Sequence, residues 1–225
     1  MPGRITPLVT DQIYHVLNRG ISFQPIFNSK RDFDRAIEVM KYYQNRETPI
    51  RYSKFMLLSS EVRQRILADL SKRKDFLVEV IAYCLMPNHF HFILKQLVEN
   101  GISNFMAHFA DSYTRYFNVK SERNGPLFQG RFKAIRVGTD SQLLHLTRYI
   151  HLNPYSSFVV KTIPELWSYK YSSFLEYLDR LSPFFCNKEL VLSQFKDIEA
   201  YRKFVLDQAD YQRKLEGIKH LLLER

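Results

Sequence analysis

The sequence predicts an α+β fold with the strand and helix order β-α-β-β-α-β. Three observations carry this. Four short runs rich in β-branched and aromatic residues fall at 12–17, 76–85, 89–95 and 132–137. Two stretches, 30–44 and 100–120, repeat apolar residues at helical spacing. Pro87-Asn88 interrupts the second and third β runs, which pairs them as a hairpin. That order is the split ferredoxin-like unit, in which the first and third strands are central neighbours.

Residues 1–10 form a lead-in, and the first strand, QIYHVL at 12–17, ends in the turn-forming Asn18-Arg19-Gly20. His15 on this strand reads as a half-buried, hydrogen-bonded histidine. Ser29 can cap a helix from Lys30 to about Gln44, with Phe33, Ala36, Ile37 and Met40 inward. Residues 48–75 are an insert. Within it Ile50–Leu58 reads as strand or loop, and Ser60–Lys74 as a helix burying Val62, Ile66, Leu67 and Leu70. In the helix 100–120, the stripe Ile102, Phe105, Met106, Phe109, Tyr113 and Phe117 reads as core. After the turn Asn124-Gly125-Pro126, Phe132–Val137 is the fourth strand, and a further helix opens at Thr139-Asp140 and ends at Asn153-Pro154. Asn153 is expected to be its last residue, since a proline disfavours helical backbone in the residue before it. The chain divides at about 160, where the domain 1–160 gives way to a mostly helical extension, 161–225, with helices expected at 188–195 and 197–215.

With 225 residues and 45% apolar content, the chain can bury a sizeable core. Its 33 Lys plus Arg against 23 Asp plus Glu give a net charge of +10, which favours a polyanionic partner, nucleic acid before membrane. Cys84 and Cys186 are far apart in apolar settings, which argues against a disulfide framework. The sequence shows neither a signal-peptide pattern nor an apolar run of membrane-spanning length, so a cytoplasmic location is expected.

The chemistry concentrates in two stretches. In Met86-Pro87-Asn88-His89-Phe90-His91-Phe92-Ile93-Leu94, the strand period puts His89 and His91 on one face and the phenylalanines on the other. Two adjacent imidazoles suit half of a divalent-metal site. In the helix 141–153, Tyr149 and Asn153 are four apart and share a face, with His145 one turn earlier. A Tyr one turn from an Asn can set a nucleophile beside a metal ligand; a buried tyrosine and a helix-capping Asn is the simpler alternative. Arg131, Lys133 and Arg136, with Arg115, Lys120 and Arg123, could track a phosphate backbone, and Phe128 or Phe132 could stack a base.

Four segments, YHVLNRG (14–20), MPNHFHFILKQ (86–96), GPLFQGRFKAI (125–135) and RYIHLNP (148–154), resemble in order and spacing the single-tyrosine HUH transposases. These are the insertion-sequence-200-like family, which includes the REP-associated tyrosine transposases. The resemblance spans roughly residues 11–160. It implies a ferredoxin-like endonuclease domain with His89 and His91 as metal ligands, Tyr149 as nucleophile and Asn153 as the third protein ligand. It further implies Mg²⁺ or Mn²⁺ as cofactor and single-stranded or hairpin DNA as partner. The reaction would be cleavage and rejoining through a 5′-phosphotyrosine, by a monomer or a homodimer. The Gly-Thr-Ser type N-terminal signature of some REP-associated members is missing. Two alternatives stay open: a catalytically idle DNA-binding protein on the same fold, and a metal-dependent hydrolase drawing a carboxylate from Glu79 or Glu99.

Overall fold

The computed structural model describes residues 7–181 and 185–223, the side chains of 217–223 apart. The sheet comprises β1 (Ile13–Arg19), β2 (Val78–Met86), β3 (His89–Gln96) and β4 (Lys133–Val137), all antiparallel in the order β2-β3-β1-β4. The helices of the first part are α1 (Lys30–Tyr43), α2 (Tyr52–Phe55), α3 (Ser60–Arg73), α4 (Gly101–Lys120) and α5 (Asp140–Ser156). The extension adds α6 (Ile163–Leu166), α7 (Phe174–Tyr177), α8 (Glu189–Leu192), α9 (Ile198–Leu206) and α10 (Ala209–Leu223). The expected split topology is therefore present, with β1 and β3 at the centre.

Residues directly opposite in an antiparallel pair share a sheet face. The register Leu17↔His91 and Arg19↔His89, with Lys133 opposite Leu17 and Ile135 opposite His15, gathers these side chains on one face. The other face carries Tyr14, Val16, Phe90 and Phe92. Against it α4 lays its apolar stripe: all six residues expected to be core are buried, and Phe90 and Phe92 meet Phe109 edge-on. α1 packs on α4, held by the carboxylate of Asp32, fully buried, which accepts from Lys120 at 2.6 and 2.8 Å and from Tyr116 at 2.9 Å. Ser29 stands at the head of α1 but its hydroxyl caps no helix N–H; it accepts from Lys120 instead, while Asp32 accepts from the backbone N–H of Asn28.

α5 covers the histidine face over β2, and α9 and α10 lie outside it. The extension also closes an exposed edge. The outer side of β2 exchanges backbone hydrogen bonds with three residues of the extension: Leu85 donates to Tyr171, Ser173 donates to Tyr83, and Asn187 donates to Val80. An unpaired strand edge is a template for aggregation, and this covering removes it. That explains why β2 is buried almost throughout.

Five local expectations need correction. Ile50–Leu58 is neither strand nor plain loop, because Tyr52 and Phe55 fold into α2 against Tyr42. α3 lies at the periphery, so only Leu70 is buried while Val62 and Leu67 are 37% and 47% exposed. The expected helix 188–195 shortens to α8, and the helix expected at 197–215 is two, α9 and α10. Asn153 is not the last helical residue. α5 runs through Pro154 to Ser156, with the proline inside its last turn. Residues 1–6 of the lead-in lie outside the described residues.

Candidate active site

The site is built where α5 crosses the His89–His91 end of β3. Phe90 points into the core between the two histidines and fixes the strand's facing. His89 is half-buried and His91 is buried, with ring centroids 5.0 Å apart and planes near perpendicular. α5 starts at Thr139, whose hydroxyl accepts from the N–H of Gln142 at 3.2 Å. From this start the helix brings Tyr149 and Asn153 onto the imidazoles. The Tyr149 ring stands edge-on to His91 with centroids 5.7 Å apart. Asn153 is buried, and its side chain acts on the His89 ring as a polar neighbour that opposes the effect of burial. The Ser157 hydroxyl, 3.4 Å away, donates to the Asn153 side-chain oxygen. His89, His91, Tyr149 and Asn153 are thus assembled within one chain.

Both imidazoles have their Nδ1 atoms engaged. His89 Nδ1 lies 2.6 Å from the Asn88 side-chain oxygen, which can only accept, so Nδ1 carries the proton of the neutral ring. His91 Nδ1 lies 2.9 Å from Nε2 of His15. With the proton on His91 Nδ1, the Nε2 lone pair of each ring is left as a ligand. Burial is the main influence on all three. It pushes His15 and His89 down to about 4 and holds His91 well below the ordinary histidine range, with the neighbouring imidazoles depressing His91 further. For His89, Asn153 and the Glu216 carboxylate oppose burial, and Arg19 adds to it. These rings are neutral at physiological pH, the form that binds metal.

Two imidazole nitrogens and a carboxamide oxygen are a mixed donor set of the kind that accepts Mg²⁺ or Mn²⁺ with coordination positions left for substrate. Among the described residues no group of three or more His, Cys, Asp or Glu forms a self-sufficient metal cage. A site completed by Asn153 and by substrate oxygens is compatible with that.

The sequence alone did not assign four neighbours to this centre. His15 stands behind His91 rather than apart from it. Arg19 faces His89 across β1 and β3. Glu216, from α10, reaches His89 electrostatically, and Gln212 on the same helix donates to the Tyr149 carbonyl at 3.1 Å. Only the motif HVLNRG could have hinted at the first two, and nothing local hinted at Glu216.

The basic residues singled out in the sequence separate. Lys133 lies on the histidine face and is exposed. Arg136 points to the opposite face and donates to the Gln12 side chain at 2.6 Å. Arg115 is on α4, on that opposite side, and Arg131 lines a groove there with Asn18, Phe90 and Phe132. Lys120 is tied to Asp32. Phe128 is buried against Phe90 and Tyr113, so it is core. Glu79 sits opposite Lys95, at the far end of β3 from His89, and Glu99 lines the groove on the α4 side. His145 contacts Arg148 and Phe204, and His151 is buried between Ser173 and Tyr201. Cys84 and Cys186 are buried free thiols. Among the described residues no helix is long and apolar enough to cross a membrane.

Residues 50–153 match the family model described as "Transposase IS200 like". That span holds His89, His91, Tyr149 and Asn153, whereas His15, Arg19 and Glu216 lie outside it. Among solved structures, a REP-associated tyrosine transposase bound to a REP hairpin has the same fold, with a TM-score of 0.53 and 16% identity, covering 81% of this chain and 89% of that one. No curated protein sequence matches the chain.

Proposed function

We propose that the chain, whose residues 50–153 match the model of IS200-like transposases, cleaves and rejoins single-stranded, hairpin-associated DNA through a covalent bond to Tyr149. The observation that carries this reading is the docking of Tyr149 on His91 with Asn153 on His89. One helix turn delivers a nucleophile and a ligand together to the paired imidazoles.

His89, His91 and Asn153 would hold Mg²⁺ or Mn²⁺. When bound, the ion supplies Lewis acidity to the scissile phosphate and offsets charge that develops in the transition state. The residues of the chain do the rest. The Tyr149 hydroxyl loses its proton and its oxygen attacks phosphorus. The bond from phosphorus to the 3′-oxygen breaks with its electron pair on that oxygen, which takes up a proton. The products are a 5′-phosphotyrosine and a free 3′-hydroxyl. One phosphodiester replaces another, so a 3′-hydroxyl can reverse the step and rejoin the strand without a nucleotide cofactor. A tyrosine, with an ordinary pKa of about 10, is a weak nucleophile at neutral pH. Rigid placement against the imidazole pair supplies what its basicity does not.

The test is cleavage of end-labelled oligonucleotides carrying a hairpin with single-stranded flanks. Mn²⁺ is expected to give a discrete cut in a flank and EDTA to abolish it. An absence of cleavage across varied hairpins would refute the reading.

A further inference from the structure

The loop after β1 is pinned to the histidine strand and held in uncommon backbone. The Gly20 N–H donates to the Asn88 carbonyl at 2.8 Å, and the Asn88 side chain donates to the Phe23 carbonyl at 3.4 Å. Gly20 is required here, since a Cβ at that position would lie 2.2 Å from the Gln24 carbonyl oxygen. Ser22 and Phe23 follow with φ of 52° and 59°, left-handed backbone rarely adopted by residues other than glycine. The result is a phenylalanine 59% exposed, where a folded chain would ordinarily bury it. The Arg19 guanidinium lies 3.9 Å from the ring centroid and also donates to the Gln129 side chain. Arg19 shares the histidine face and stands opposite His89. On the same face Lys133 and Ile135 are exposed, so the sheet is open to solvent over β4, beside the part that α5 covers.

We propose that Arg19 and Phe23 form a nucleotide subsite beside the His89 end of the site, the guanidinium taking a backbone phosphate and the ring stacking the adjoining base of single-stranded DNA. This rests on the reading of the chain as a DNA transesterase. The chemistry fits the ligand on both counts. Every base has a π-face, and aromatic side chains on single-strand binders use it without regard to sequence. A guanidinium whose orientation is fixed by a ring and an amide presents its fork to phosphate oxygens already ordered. The strain in the loop holds the ring out where a base can reach it.

Two variants separate the two roles. Binding of a fluorescein-labelled, mixed-sequence single-stranded oligonucleotide is measured by anisotropy across a range of salt concentrations. Phe23→Ala is expected to weaken binding by about tenfold without changing the salt dependence, and Phe23→Trp to restore it. Arg19→Ala is expected to lower the slope of log affinity against log salt by about 0.7, the value for one phosphate contact on a single strand. Thermal melts of each variant matching wild type establish that the fold is kept. Binding by Phe23→Ala within twofold of wild type, or an unchanged salt slope in Arg19→Ala, overturns the subsite. If wild type forms the Tyr149 adduct while Phe23→Ala binds normally, the subsite alone fails. If wild type forms no adduct, the underlying reading fails.

Discussion

Nε2 of His15 lies 2.9 Å from Nδ1 of His91, so a strand residue far away in sequence bonds the ring of a candidate metal ligand. Only when the proton of that bond resides on His91 Nδ1 is His91 Nε2 a free donor. Partners of this kind orient ligand imidazoles and typically contribute about 10–100-fold to metal affinity. His15→Phe is therefore expected to weaken Mn²⁺ binding by about that factor, measured by calorimetric titration of the folded protein, while His15→Gln, which keeps an acceptor, recovers part of it. Equal Mn²⁺ affinity in wild type and His15→Phe would contradict the arrangement.

Lys120 has the look of a phosphate contact in the sequence, but its ammonium is engaged with buried Asp32. Burial alone would raise the Asp32 carboxyl; the hydrogen bonds from Lys120, Tyr116, Ser29 and Asn28 outweigh it and hold the group below its usual range. Removing one partner of a buried pair leaves a charge without compensation. Lys120→Met should cost roughly 3 kcal/mol in urea unfolding. At temperatures where it stays folded, its DNA affinity should equal that of wild type. A stable variant with weakened DNA binding would reverse this assignment.

Acidification should destabilise the fold well above the carboxylate range. His151 is fully buried, and burial brings it down to about 3; His15 and His89 are brought down to about 4. Unfolded histidines take up protons near pH 6.5, so between that pH and about 4 the unfolded state binds more protons and folding weakens as pH falls. Each tenfold depression is worth about 1.4 kcal/mol once pH lies below the folded value. Urea midpoints should be flat from pH 8 to 7 and decline steadily from 6.5 to 4.5. A flat profile across the second window would mean that these imidazoles are solvated.

Much of this was legible from local pattern. The histidine strand showed itself through its two-residue period and the Pro87-Asn88 turn, and α4 through six apolar residues at helical spacing, all buried as expected. Tyr149 and Asn153 were paired by a four-residue spacing that any helix enforces. What escaped depends on register and on distant segments. His15 meets His91 only because β1 and β3 pair in one particular register, and Glu216 comes near only because α10 folds back over α5. Val62 and Leu67 misled because an apolar helix stripe does not reveal whether anything packs against it. Pro154 lies inside α5 because the restriction a proline places on the residue before it is a preference that tertiary packing can override, as the burial of Asn153 and Tyr155 shows.

The central claim is that Tyr149, docked on His91, is the nucleophile. The direct measurement is mass spectrometry of tryptic peptides after incubation with a hairpin-flanked single strand in Mn²⁺. A nucleotide-bearing peptide modified at Tyr149 is predicted, absent from Tyr149→Phe and from His91→Ala, with DNA binding by Tyr149→Phe within about twofold of wild type. Cleavage that persists in Tyr149→Phe, or an adduct on another residue, would contradict the account.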